Sequence, residues 1–142
     1  MQRTAVKAAL LLAPLLLAAS LPDENGVNGE SYVCSLKRGI ECDSDVNCGP
    51  PAPQLPPPTF IHVDTEGKLI TLLDPPERRG ETTQIRIMED EGDRLIMSGI
   101  EAGRTWSMIL SKTDHSAAIS INLGDAVQVV FAQCIAENQI EP

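Results

Sequence analysis

An all-β fold is predicted: an antiparallel meander of about eight strands, closed as a small barrel or folded over as a two-layer sandwich, with two disulfides. Three observations carry this. From Thr59 onward, short runs rich in Val, Ile and Thr alternate with turn residues at intervals of about ten. The connections between these runs are short, and short connections force antiparallel neighbours. Four cysteines in an exported chain of 142 residues read as two cross-links.

Residues 1–20 read as a secretory signal peptide, with Arg3 and Lys7 as a basic start, Ala8 to Leu17 as the apolar stretch and Ala18-Ala19-Ser20 as a small-residue cleavage site. The apolar stretch is about half of the roughly 20 residues that a spanning helix needs. No later segment is apolar enough to span, so the mature chain is expected to carry no integral membrane segment and to be periplasmic or secreted. Residues 21–30, Leu-Pro-Asp-Glu-Asn-Gly-Val-Asn-Gly-Glu, offer nothing to bury and read as a flexible leader.

A single β-domain is expected over 31–135, followed by a polar tail over 136–142. It opens with Tyr32 to Leu36, turns at Lys37-Arg38-Gly39 and resumes at Ile40 to Cys42. Six of the ten residues in 49–58 are proline, which cannot sustain sheet hydrogen bonding and reads as an extended connector. Thr59 to Asp64 and Lys68 to Leu73 flank Thr65-Glu66-Gly67, a tight turn with Gly67 placed for a positive φ. Asp74-Pro75-Pro76 ends that hairpin. Thr82 to Met88 sets Ile85 and Ile87 against Gln84 and Arg86. Arg94 to Ile100 and Arg104 to Ser111 follow, the latter with Trp106, Met108 and Leu110 on one face. His115 to Leu123 points Ala117, Ile119 and Ile121 inward. Ala126 to Ile135 completes the series with Val127, Val129 and Phe131 inward. The few aromatic residues, Tyr32, Phe60, Trp106 and Phe131, fall at core-like positions.

In a meander that closes or nearly closes, the first and last strands are neighbours. Cys34 lies in the first and Cys134 in the last, so the favoured pairing is Cys34 with Cys134 and Cys42 with Cys48. The second choice joins Cys34 to Cys42 and Cys48 to Cys134. Enclosing about 100 residues in one loop is worth about 4.7 kcal/mol in the chain-entropy model. The cysteine spacings match no zinc-ligand pattern.

The Cys42 to Cys48 ring holds the densest chemistry. Asp43, Asp45 and Asn47 present oxygen at alternate positions, as calcium loops do. The sixth and twelfth positions of the helix-loop-helix calcium motif, glycine and glutamate, are here Cys48 and Gln54, and Asp and Asn are equally the residues of a solvated turn. The ring is therefore a calcium or partner loop, with no metal assigned, and no other cofactor is indicated. Catalytic residues are not assigned, because no nucleophile elbow accompanies His62 or His115. If the sheet is hollow, Trp106, Met108 and Met97 would line an apolar pocket.

The formal net charge is −9, and removal of Arg3 and Lys7 with the signal peptide makes it two units more negative. Such a surface repels polyanions, so nucleic acid is disfavoured as a partner. What remains is a protein or small ligand.

Tyr32-x-Cys34, the Cys42 to Cys48 ring, Thr105-Trp106-Ser107 and Phe131-x-x-Cys134 together resemble small exported β-domains of proteobacteria, a resemblance that implies no activity. The early Tyr-x-Cys and the late cysteine alone are similar to bacterial inhibitors of c-type lysozyme. The inhibitors' loop motif has no counterpart here, so no inhibitory residue is carried over. The expected function is that of a non-enzymatic binding or structural module of the cell envelope. The alternatives are a lysozyme-inhibitor-like protein, an apolar-ligand carrier, and a hydrolase in which two or more of His62, His115 and the strand-end acids would converge.

Overall fold

A computed structural model describes residues 29–51 and 57–140. The signal peptide, most of the leader, the middle of the proline connector and the last two residues lie outside the described residues. Eleven strands are present: β1 (Ser31–Leu36), β2 (Ile40–Asp43), β3 (Cys48–Gly49), β4 (Phe60–Asp64), β5 (Leu69–Leu72), β6 (Thr82–Gln84), β7 (Ile87–Asp90), β8 (Arg94–Glu101), β9 (Arg104–Ser111), β10 (Ser116–Asn122) and β11 (Ala126–Ala136). A 3-10 turn, Glu137–Gln139, follows at once, so the first residues of the polar tail are ordered against the sheet.

The count exceeds the expected eight for three local reasons. The opening segment is two strands, β1 and β2. The Cys42 to Cys48 ring adds the two-residue β3. The extended run 82–90 bends at Ile85-Arg86 and changes partner, so it counts twice: β6 pairs with β5 and β7 pairs with β8.

All pairings are antiparallel, in the order β6-β5-β4-β1-β11-β10-β9-β8-β7, with the β2–β3 hairpin beside the first half of β11. The sheet curls into a half-barrel. Its two ends in this order are the two halves of the bent segment 82–90. At the bend, Ile85 N–H donates to Lys68 O at 2.9 Å on the β5 side, and Arg86 N–H donates to Ser98 O at 2.8 Å on the β8 side. One segment thus satisfies backbone groups of both ends, which would otherwise be open edges.

Inside the curl lie Tyr32, Cys34, Ile61, Val63, Leu95, Met97, Met108, Leu110 and Cys134, each almost wholly buried. Complete burial of an aliphatic side chain such as Leu95 or Leu110 contributes about 1.5–3 kcal/mol. Where the bent segment crosses the curl, Trp106 lies against Gly99, its cross-strand partner, and donates its indole N–H to Thr83 Oγ1 at 3.1 Å. A Cβ on Gly99 would stand 2.6 Å from the Trp106 ring and 2.5 Å from Gln84 O, so this contact requires glycine.

Several expected orientations are reversed. Val127, Val129 and Phe131 face outward, and the inward residues of β11 are Ala132, Cys134 and Ala136. Small alanines there suit the close approach of β1. Gln128, on the same side as those alanines, donates its amide to Oε2 of Glu41, its cross-strand partner on β2, at 2.6 Å. The bend at Arg86 puts Ile85 inside and Ile87 outside. Phe60 and Phe131 are exposed rather than core residues. At the β4–β5 turn the left-handed residue is Lys68, with φ of 52°, while Gly67 donates its N–H to the Asp64 carboxylate at 2.8 Å, and a Cβ there would run into that carboxylate.

Candidate functional site

Both disulfides join direct cross-strand partners, Cys34 with Cys134 and Cys42 with Cys48. In the smaller ring the carboxylate of Asp43 closes the turn on itself. Its Oδ1 accepts the N–H of Asp45 at 3.0 Å and of Asn47 at 2.9 Å, and the Asn47 amide adds a further bond. Those bonds from Asn47, and then from Asp45, hold the Asp43 carboxyl below its ordinary range. Among the described residues, no group of three or more His, Cys, Asp or Glu is placed to hold a metal ion. Met97 and Met108 are paired across β8 and β9 and have no exposed surface, while Trp106 is held between Gly99 and Thr83.

A polar concavity opens at one end of the curl. It is a cavity of about 310 Å³ whose lining includes Leu95 and Ala136 together with Glu30, Tyr32, Asp90, Lys112 and His115. Five segments supply these groups. Tyr32 sits at an inward position of β1, so its ring packs in the core while its hydroxyl needs a polar partner. It finds one in Glu30, donating to Oε2 at 2.6 Å. Glu30 is in turn tethered through its carbonyl, which accepts the hydroxyl of buried Thr65. This residue, at the end of the segment read as a leader, is thus part of the site. Across the cavity Lys112 donates to both oxygens of Asp90, at 2.6 and 2.7 Å.

His115 enters from the β9–β10 turn with φ of 57°, a conformation uncommon for a residue with a side chain. Two contacts hold it. Its carbonyl accepts Cys134 N–H at 2.9 Å, and its ring meets Tyr32 edge-on at 6.1 Å between centroids. The adjacent Asp114 caps the turn, accepting from Ser111 and from the Ser116 N–H and hydroxyl, and these bonds hold its carboxyl down to about 2. Burial pushes the Tyr32 phenol well above its usual range, assisted by its bond to Glu30 and by the charges of Glu30 and Asp90. The cavity is therefore a place of negative potential.

Of the two histidines, only His115 lies in this cavity, in company with Glu30 and Asp90. His62, on the outer face of β4, stands 3.1 Å from Glu137 Oε1 without hydrogen-bond alignment. The Thr65 hydroxyl is already given to a carbonyl and Asp90 is held by Lys112. The arrangement offers hydrogen-bonding and charged groups to a ligand. None of Glu30, Asp90 or Lys112 was singled out by sequence reasoning. The available signal was an inward tyrosine beside an acidic residue, Glu30-Ser31-Tyr32.

A second surface covers the outside of β8 to β11 and continues onto β2. Register places Ile96, Ile109, Ala118 and Phe131 in one cross-strand row. The next row is Ser98, Ser107, Ser120, Val129 and Ile40, and the third is Ile100, Thr105, Asn122, Val127 and Cys42. The Ser107 and Ser120 hydroxyls bond at 2.7 Å. Larger side chains on both sides leave the serine row as the floor of an open trough of about 370 Å³. Ile109 is 45% exposed and Phe131 57%, in one row, while Ile100, 57% exposed, lies beyond the serine row and Ile40, 53% exposed, lies at that row's end on β2. The sequence sign of this surface is apolar residues in succession, as in Leu95-Ile96-Met97 and Met108-Ile109-Leu110, which make both faces of a strand apolar.

Among the described residues no helix is long and apolar enough to cross a membrane. No protein-family model matches this chain, and no curated protein matches it in sequence.

Proposed function

We propose that this chain is an exported, non-enzymatic binding module of the bacterial cell envelope that acts through a protein contact on the outer face of β8 to β11. One observation carries the reading. The apolar row Ile96, Ile109, Ala118, Phe131 and its neighbours are left open on a cross-linked sheet, and contiguous exposed apolar area of this kind marks interaction sites. The interior around Met97 and Met108 is filled, which supports a contact made from outside over a ligand carried within. Two disulfides suit an oxidising compartment, and a periplasmic or secreted location is part of the proposal.

The test uses the oxidised mature protein, immobilised and exposed to envelope extract, beside an Ile109→Ser, Phe131→Ser double variant that keeps the fold. A partner held by the first, lost from the second and rebound after purification would support the contact. Equal capture by both proteins would refute the assigned face. Purified c-type lysozyme belongs in the same assay, because its basic surface complements this acidic chain.

A further inference from the structure

The end cavity has a chemistry of its own that the outer face does not use. Its apolar lining is Leu95 and Ala136, both almost wholly buried, beside the Tyr32 and His115 rings, which meet edge-on; the rest of the lining is polar. Glu30 lines the cavity too, exposed, its carboxylate accepting a bond from the Tyr32 hydroxyl. A carboxylate offers about four acceptor positions, so Glu30 keeps most of them open. The second carboxylate, Asp90, is balanced by Lys112. Of the three formal charges of Glu30, Asp90 and Lys112, one negative charge is left over, on the exposed Glu30.

We propose that this cavity binds the ammonium end of a short alkyl chain, the methylenes lying against Leu95, Ala136 and the His115 ring, and the N–H donors meeting Glu30. Depth and charge both fit. A volume of about 310 Å³ is at the small end of ligand sites and suits one linear aliphatic amine or one side chain. The carboxylate recognises the cation and the apolar lining recognises its stem, so neither an alcohol nor a carboxylic acid of equal length satisfies both. The cation has two sources, a free alkylamine or a lysine side chain of a partner protein. The inference does not rest on the outer face.

Tyr32 is the only tyrosine, so its ring resonances report on the cavity without ambiguity. Titrating the full mature protein with n-butylammonium should shift these resonances saturably, with a midpoint on the order of 1–10 mM. n-Butanol should not. Glu30→Gln should weaken the amine at least about tenfold. Lys112→Met removes the resident cation and should tighten binding severalfold, an effect opposite in sign to any loss of folding. An equal response to n-butanol, unchanged affinity in Glu30→Gln, weaker binding in Lys112→Met, or no saturable shift would each overturn the proposal. A blocked Gly-Lys-Gly peptide separates the sources: tighter binding than n-butylammonium assigns a partner's lysine, and weaker binding assigns a free amine.

Discussion

Cys34 and Cys134 face each other across β1 and β11 with Cα atoms 3.9 Å apart, and their sulfurs lie in the buried interior. The first and last strands of the domain are thereby joined covalently at the middle of the curl.

Removing this link as Cys34→Ala, Cys134→Ala should lower stability by about 4 kcal/mol, because it releases a loop spanning a sequence separation of 100. The corresponding change at Cys42 and Cys48, separated by only 6, should cost about 2 kcal/mol. Denaturant melts of the two double variants would measure the difference. Equal losses would mean that the loop-closure argument does not govern this fold.

The Tyr32 phenol is raised by burial first, then by Glu30 and Asp90. A raised folded value favours the neutral phenol. Its contribution to stability is complete below the unfolded value of about 10 and is lost as pH rises from there toward the folded value. With a single tyrosine in the chain, absorbance at the tyrosinate band should stay flat past the ordinary range and then rise together with unfolding. Glu30→Gln should bring the onset down.

Four carboxyls, Asp43, Asp74, Asp90 and Asp114, are held below their ordinary values, chiefly by hydrogen bonds from Asn47, Thr59, Lys112 and Ser111 respectively. Lowered folded values contribute stability above the unfolded value of about 3.9 that disappears as pH falls through the folded ones. Acid melts should therefore show stability declining below about pH 4, and for Asp114 the decline continues to about 2. Asp114→Asn should flatten that last portion of the profile.

Gly99→Ala places a methyl group against the Trp106 ring and the Gln84 carbonyl. Overpacking of this kind costs about 1–3 kcal/mol. Trp106 is the only tryptophan, so its fluorescence both follows the denaturant melt and reports the displaced ring.

Phe131→Ser and Ile109→Ser, singly, should change stability by no more than about 0.5 kcal/mol, because both side chains are largely exposed. A loss several times larger, seen by the same melts, would show that this face contributes to the fold rather than to a contact.

The all-β class, the places where the chain turns and the neighbouring of Cys34 with Cys134 were legible in residue order, because each rests on local chemistry or on the meander that short connections impose. Ala102-Gly103, both with positive φ, form the expected tight turn between β8 and β9. Alternation also placed Trp106, Met108 and Leu110 correctly. It failed in β11, where Val127, Val129 and Phe131 make the more apolar face, opposite Gln128 and Val130, so the period of two pointed to the wrong side. The packing partners then chose: β1 needed small neighbours at Ala132 and Ala136, and the Cys34 sulfur needed Cys134 inside, so Phe131 went out. The bend at Arg86 was likewise set from outside, by backbone acceptors at Lys68 and Ser98 that only curling brings to one segment. The end cavity is tertiary for the same reason. Glu30, Asp90 and the Lys112 to His115 turn lie far apart along the chain, and what gathers them is the curvature that brings the ends of β1, β7 and β9 to one mouth.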